Sequence, residues 1–403
     1  MSGESAREFG FDPERLKRID QWMARNIDLG RFTGSSVLIA RHGEIVHLGC
    51  VGKASLADDR DYARDTIVRI YSMTKLVTSV AFMMLLERGI LHLDAPVSRF
   101  LPQFSQMKAF AEGATDPDDL VDAPSPTLHQ LLTHTSGMSY SFNPGMLGQL
   151  YNERGIDTGP GVGGLDGLVG RIANMPLGFQ PGERWEYSVG IDVIGRVIEI
   201  VSGRSLDAFF REEIFEPLGM IDTFFDLPSD RLPRFADCFV KTPDDPRALF
   251  DAAETSIFLS GKVNTLSGGG GLLSTLDDYF RFGEMLRRGG ALDGVRLLSP
   301  NSVAFMRANH LPGDIASMGP GSFAEMPMNG MGFGIGGAMV LDPALARMPG
   351  SVGDFGWGGY ASTFFWTDPV KELSCIFFTQ LIPSFAYPNR AELKALVHGA
   401  LME

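Results

Sequence analysis

Ser72-Met73-Thr74-Lys75 places a hydroxyl and a primary amine three residues apart, at the head of a run from Leu76 to Leu86 that is apolar on nearly every face. Residues three apart share one side of a helix, so the Ser72 hydroxyl and the Lys75 amine point into the same space. An amine there can take the serine proton, and a helix N-terminus favours the anion that results. The chemistry is that of a serine nucleophile activated without histidine. The all-round apolar run, closed by Gly89 where a C-cap belongs, predicts a buried helix. The same spacing recurs at Ser105-Gln106-Met107-Lys108, but that copy follows Pro102 and leads into the acidic segment Glu112 to Asp122. A serine opening a helix also serves as an ordinary N-cap, so the rest of the chain has to supply the partners of a reaction.

Two segments offer them. Trp185-Glu186-Tyr187-Ser188-Val189-Gly190 precedes a helical pattern from Ile191 to Val201, which puts Tyr187 in a loop just before a helix start. A Tyr187 phenolate stabilised by Lys75 would be a base able to work near neutral pH, the alternative being a packed ring with a satisfied hydroxyl. Phe355-Gly356-Trp357-Gly358-Gly359-Tyr360 runs into a strand pattern, Ala361 to Thr367. Glycines beside a strand let a substrate approach the backbone, so the N–H groups of Tyr360 and Ser72 could hold an oxyanion; the plainer reading is a turn with one packed aromatic. Other catalytic patterns are missing. There is no Gly-x-Ser-x-Gly, no His-Glu-x-x-His, and no Gly-Lys-Ser/Thr after Gly268 to Gly271. His129 and His134 stand five apart, a poor spacing for one helix face, and are expected to pack or hydrogen-bond beside the active helix. Neither a metal nor a cofactor is expected.

The elements that would position these residues follow from composition and periodicity. With 403 residues, 44% of them hydrophobic, the chain can bury a large core and is expected to form two lobes. A net charge of −14 argues against nucleic acid and anionic membrane surfaces as partners. The first thirty residues lack a basic-then-apolar signal pattern, and no apolar stretch reaches about 18 residues. Cys50, Cys238 and Cys375 lie far apart and leave an odd thiol, which fits a reducing compartment; a cytoplasmic protein is the expectation. Asp12-Pro13 starts an amphipathic helix to about Asn26, and Ser36 to Ala40 and Ile45 to Gly49 read as strands joined at His42-Gly43. The middle is mostly helical, with Leu128 to Leu132, Gly190 to Val201, Ser205 to Ile214 and Thr275 to Arg288. Strands return at Gly332 to Leu341, Ala361 to Thr367 and Leu373 to Gln380, before a helix from Pro388 to Leu401. This predicts an α+β fold: an antiparallel sheet built from both termini (residues 1–70 and 325–403), flanked by helices, with a mainly helical lobe (71–324) inserted and the active site between them. Gly155 to Gly170 and Gly313 to Gly337 read as mobile segments, and Met318, Met326, Met328 and Met331 would suit an adaptable apolar wall.

The order Ser-x-x-Lys, then Tyr-Ser-x about 115 residues on, then Trp-Gly-Gly 170 further, resembles the serine β-lactamase and penicillin-recognising superfamily in its class C branch. It is closer still to the family VIII carboxylesterases. Leu131-Leu132-Thr133-His134-Thr135-Ser136-Gly137-Met138, Glu216-Pro217-Leu218-Gly219-Met220 and Gly269-Gly270-Gly271-Leu272-Leu273-Ser274-Thr275 add to the match, which spans residues 12 to 400. The resemblance implies a β-lactamase-like fold, with Ser72 as nucleophile and Lys75 and Tyr187 as its proton relay. Two positions depart from it. Trp357-Gly358-Gly359 stands where penicillin-recognising enzymes commonly carry Lys-Thr-Gly, and Val189 stands where class C carries the asparagine of Tyr-Ala-Asn. Apolar residues cannot make either polar contact, which favours an uncharged ester over an anionic amide. The expected function is a serine carboxylesterase, working through an acyl-enzyme on short, apolar acyl groups held by Phe142, Phe355, Trp357 and Tyr360. Whether Lys75 or Tyr187 is the base stays open, because closely coupled groups titrate as a pair. Weak β-lactam turnover, a peptidase-type amidase, an acyltransferase and a catalytically silent binding protein are the alternatives, and the oligomeric state is not readable.

Overall fold

A computed structural model describes residues 3–156, 158–161 and 163–403. Seven strands build one antiparallel sheet: β1 (Gly34–Arg41), β2 (Glu44–Gly52), β3 (Met331–Phe333), β4 (Ala338–Val340), β5 (Phe355–Gly358), β6 (Phe364–Asp368) and β7 (Leu373–Thr379). Their order is β3-β4-β5-β6-β7-β1-β2, so the N-terminal hairpin joins strands from more than 300 positions later, with Val37 opposite Phe377. The β1–β2 turn needs left-handed backbone, which His42 (φ 55°) and Gly43 (φ 92°) supply.

Both faces of the sheet are covered, which is why β7 is buried at every position instead of alternating. Val37, Ile39, Cys375 and Phe377 pack under α1 (Pro13–Asp28) and the C-terminal helix α6 (Asn389–Ala400). Asp12 caps α1 by accepting from the Glu14 and Arg15 N–H groups, with Pro13 in the first turn. On the other face Leu38, Ile376, Phe365 and Phe378 meet α2 (Thr74–Glu87) and α5 (Leu276–Arg287). Every residue of α2 from Thr74 to Leu85 is buried. At about 1.5–3 kcal/mol for each large apolar side chain, that burial anchors the helix far more firmly than its own propensity would.

Several boundaries differ from the sequence expectation. The stretch Gly332 to Leu341 is two strands, because Gly334, Gly336 (φ 83°) and Gly337 reverse the chain between β3 and β4. Phe355–Gly358, read as the glycine-rich approach to a strand or a plain turn, is itself strand β5, and the next strand starts at Phe364 instead of Ala361. Of the segment expected to be mobile at 155–170, residues 157 and 162 lie outside the described residues, and Leu165–Ala173 forms helix α3. The segment 313–337 holds a short helix, Ile315–Met318, and a hairpin, Ser322–Phe323 with Met326–Pro327. Among the described residues no helix is long and apolar enough to cross a membrane.

Candidate active site

The chain enters the site through Val68–Arg69, makes a single 3₁₀ turn at Tyr71–Met73, and only then begins α2. Tyr71 takes a positive φ of 43°, a strained conformation for a bulky residue, and its ring is wedged edge-on against Phe258 and Tyr360. The N-cap position falls to Met73 with no side-chain cap, so Ser72 does not do the N-cap's work. Its hydroxyl instead accepts from Lys75 Nζ at 3.2 Å. Lys75 is fully buried and also donates to the Tyr140 hydroxyl at 2.9 Å and the Gly269 carbonyl at 2.6 Å. Three acceptors thus surround the amine.

Tyr140 was not foreseen. It stands two residues beyond the Leu131 to Met138 motif, in a loop that brings it back over α2. Its ring stacks on Phe142 at 4.8 Å and lies 5.2 Å from that of Tyr187. Burial pushes its hydroxyl well above the usual phenol range, with Asp192 and Tyr187 adding to the shift. Tyr187 is placed differently. Lys75 Nζ lies 4.6 Å from its ring centroid, and its hydroxyl accepts from Trp357 Nε1 at 3.1 Å. The second and third sequence motifs therefore meet directly. His134 Nδ1 is within 3.2 Å of the Ser188 N–H, behind Tyr187; burial, with Lys75 adding, holds its imidazole well below the ordinary range and hence neutral.

Trp357 on β5 stacks on Phe323 of the short hairpin at 5.8 Å and meets Phe333 edge-on. In the turn after it, Gly359 N–H donates to the Thr363 carbonyl and Ser362 N–H to the Gly359 carbonyl, while Tyr360 N–H takes no part in either bond. A cavity of about 1,220 Å³ opens beside this turn, and Ser72, Tyr140, Phe142, Tyr187, Trp357 and Tyr360 are among the residues that line it. Met318, Met326, Met328 and Met331 all contribute to its wall, as the methionine pattern suggested. Phe355 and Val189 do not line it. Phe355 is sealed in the core against Gly337, and Val189 is the buried N-cap of α4 (Gly190–Ser202).

The glycine loop Gly268–Gly271 fixes the amine. Gly269 uses its carbonyl on Lys75 and its N–H on Asp192 Oδ1 at 3.0 Å. A methyl group built on Gly269 would lie 2.4 Å from Asp192 Oδ2 and 3.1 Å from the Tyr140 hydroxyl. Gly269→Ala is therefore expected to lower kcat/KM about tenfold or more by displacing Lys75, which steady-state kinetics on the folded variant would read. Elsewhere, Asp354, Asp368 and His398 are the one set among the described residues whose donor atoms converge as a metal site requires. Lys394 Nζ already sits 2.7 Å from Asp354 Oδ2, and burial, with Lys394 adding, holds His398 down at about 4.

Fold and relatives together define a serine hydrolase of the β-lactamase and penicillin-recognising superfamily. The Beta-lactamase family profile matches residues 19–398, and the chain belongs to that family. It is 32% identical to Esterase EstB of Burkholderia gladioli, over 92% of each chain. It is 31% identical to Lovastatin esterase of Penicillium rubens, over 78% of this chain and 81% of the other. Among solved structures, EstCE1, a hydrolase with promiscuous acyltransferase activity, superposes with a TM-score of 0.80 at 29% identity, covering 97% of this chain and 99% of its own.

Proposed function

We propose that the protein is a serine carboxylesterase that forms an acyl-enzyme on Ser72. The observation that carries the reading is Lys75 Nζ at 3.2 Å from Ser72 Oγ, inside a largely apolar cavity that holds both tyrosines. In the proposed cycle Tyr187 and Lys75 take the Ser72 proton and Oγ attacks the ester carbonyl, while the N–H groups of Ser72 and Tyr360 receive the oxyanion. The alcohol departs with the proton, and water then attacks the acyl-enzyme by the reverse route. The esterase relatives support this assignment. Trp357 supplies an indole where an anionic substrate would want a cation, so uncharged esters are preferred. Phe142, Trp357 and Tyr360 close around the serine and favour a short acyl group.

A second reading, acyl transfer, is favoured by the size of the cavity. At about 1,220 Å³ it exceeds the roughly 300–1,000 Å³ typical of small-molecule sites, leaving room for an acceptor alcohol beside a short acyl chain. The test compares wild-type turnover of p-nitrophenyl esters of rising chain length with that of nitrocefin, and repeats the butyrate assay with added alcohols. Fast cleavage of butyrate with at least about 100-fold slower nitrocefin turnover is expected, the scale set by a polar contact the site lacks. Nitrocefin as the better substrate would sink the esterase assignment. Best turnover with long chains would sink the acyl-size limit, and an acceptor ester as main product would establish the transferase.

A further inference from the structure

Asp192 lies in the first turn of α4, fully buried, and no motif pointed to it. Its Oδ1 accepts from Ser267 Oγ at 2.5 Å and from Gly269 N–H at 3.0 Å. Its Oδ2 has no hydrogen-bond partner among the described residues, and it faces the same Gly269 α-carbon as the Tyr140 hydroxyl. A carboxylate taken out of water at a cost of several kcal/mol needs a compensating charge. No ion pair within 4 Å meets that need among the described residues, but the Gly269 residue joins Asp192 to Lys75, accepting from the amine at one end and donating to the carboxylate at the other.

Resting on the Ser72 assignment above, we propose that Asp192 is a positioning residue: the fixed counter-charge that holds Gly269 on Lys75 and sets the pH at which Ser72 becomes nucleophilic. Burial raises the Asp192 carboxyl above the usual range, while Lys75, Ser267 and the Gly269 N–H draw it back toward the anion. The groups that face this pair are Ser72, Tyr140, Tyr187, the neutral His134 and Ser267. An anion among them favours the protonated form of every neighbouring base. Whether the proton acceptor is the Lys75 amine or a tyrosine phenolate, Asp192 makes it harder to deprotonate, so the sign of the effect is the same in both cases. Removing the charge must move the acid limb of Ser72 reactivity to lower pH.

The test is the pH dependence of fluorophosphonate labelling at Ser72, read by intact mass, for wild type and Asp192→Asn. The asparagine keeps an oxygen for Ser267 and Gly269 and loses only the charge. The midpoint of the acid limb is expected to fall by about one pH unit or more. Should the asparagine variant not fold, Asp192→Ser removes the same charge with a smaller side chain and is expected to give the same displacement. An unmoved midpoint, with only the plateau rate lowered, would mean that Asp192 merely packs, and would overturn the inference while leaving the esterase reading intact. A wild-type protein that takes no adduct on Ser72 would overturn the nucleophile assignment, and this inference with it.

Discussion

Ser72→Ala is expected to hydrolyse p-nitrophenyl butyrate at least about 10⁴-fold more slowly in kcat than wild type, a loss of about 5 kcal/mol of transition-state stabilisation. The size follows from what a covalent route supplies. Without Oγ there is no acyl-enzyme, and what remains is the oxyanion pocket acting on a water that nothing orients. Stability should barely change. The variant loses one bond from Lys75, at about 1 kcal/mol, while the Tyr140 hydroxyl and the Gly269 carbonyl still hold the amine. The pairing of a large kinetic loss with an unchanged melting temperature is what separates a nucleophile from a structural serine. Fluorophosphonate should add one mass equivalent to wild type and none to the variant. An adduct of equal stoichiometry on Ser72→Ala would place the nucleophile elsewhere.

Much of this site was legible in the sequence because its signals are local. The apolar run after Ser72 can only be a buried helix, and Ser-x-x-Lys spacing on it brings Oγ and Nζ together whatever the rest of the chain does. Loop positions for Tyr187 and Tyr360 were equally readable from the helix and the strand that follow them. What was missed depends on distance in the fold. Tyr140 went unnoticed, and Gly269, legible only as part of a motif, was not tied to Lys75: they are 65 and 194 positions from it, and no periodicity makes the link. Asp192 looks like an ordinary acidic residue in a first helical turn, and only the packing of the glycine loop against that turn reveals a buried charge. The misread strands have a common cause: glycine. Gly356 and Gly358 gave β5 the look of a turn, and Gly334 to Gly337 hid a chain reversal inside an apolar run. Phe355 shares its face of β5 with Trp357, which makes it look like a pocket residue, but it sits two positions deeper along the strand and its ring packs against Gly337 in the core.

The two tyrosines should respond differently to losing their hydroxyls. Tyr187→Phe is expected to lower kcat by about 10²–10⁴, the usual range for removing a proton-transfer group, and Tyr140→Phe by about 10-fold. Both phenols are near Lys75, so proximity does not separate them. Charge does. The Tyr140 hydroxyl shares its surroundings with the Asp192 carboxylate, which opposes a phenolate there and leaves it a neutral acceptor for the Lys75 amine. The Tyr187 oxygen receives the Trp357 indole N–H, a donor that becomes stronger toward an anion, and Lys75 Nζ lies beside its ring. Tyr187 can thus carry a proton to and from the leaving alcohol, while Tyr140 keeps the amine aimed at Ser72. The distinguishing measurement is kcat with esters of better and poorer leaving groups. Loss of a group that protonates the alcohol should hurt alkyl esters far more than p-nitrophenyl esters, and loss of a positioning contact should hurt both alike. Tyr140→Phe showing the steeper leaving-group dependence would exchange the two roles.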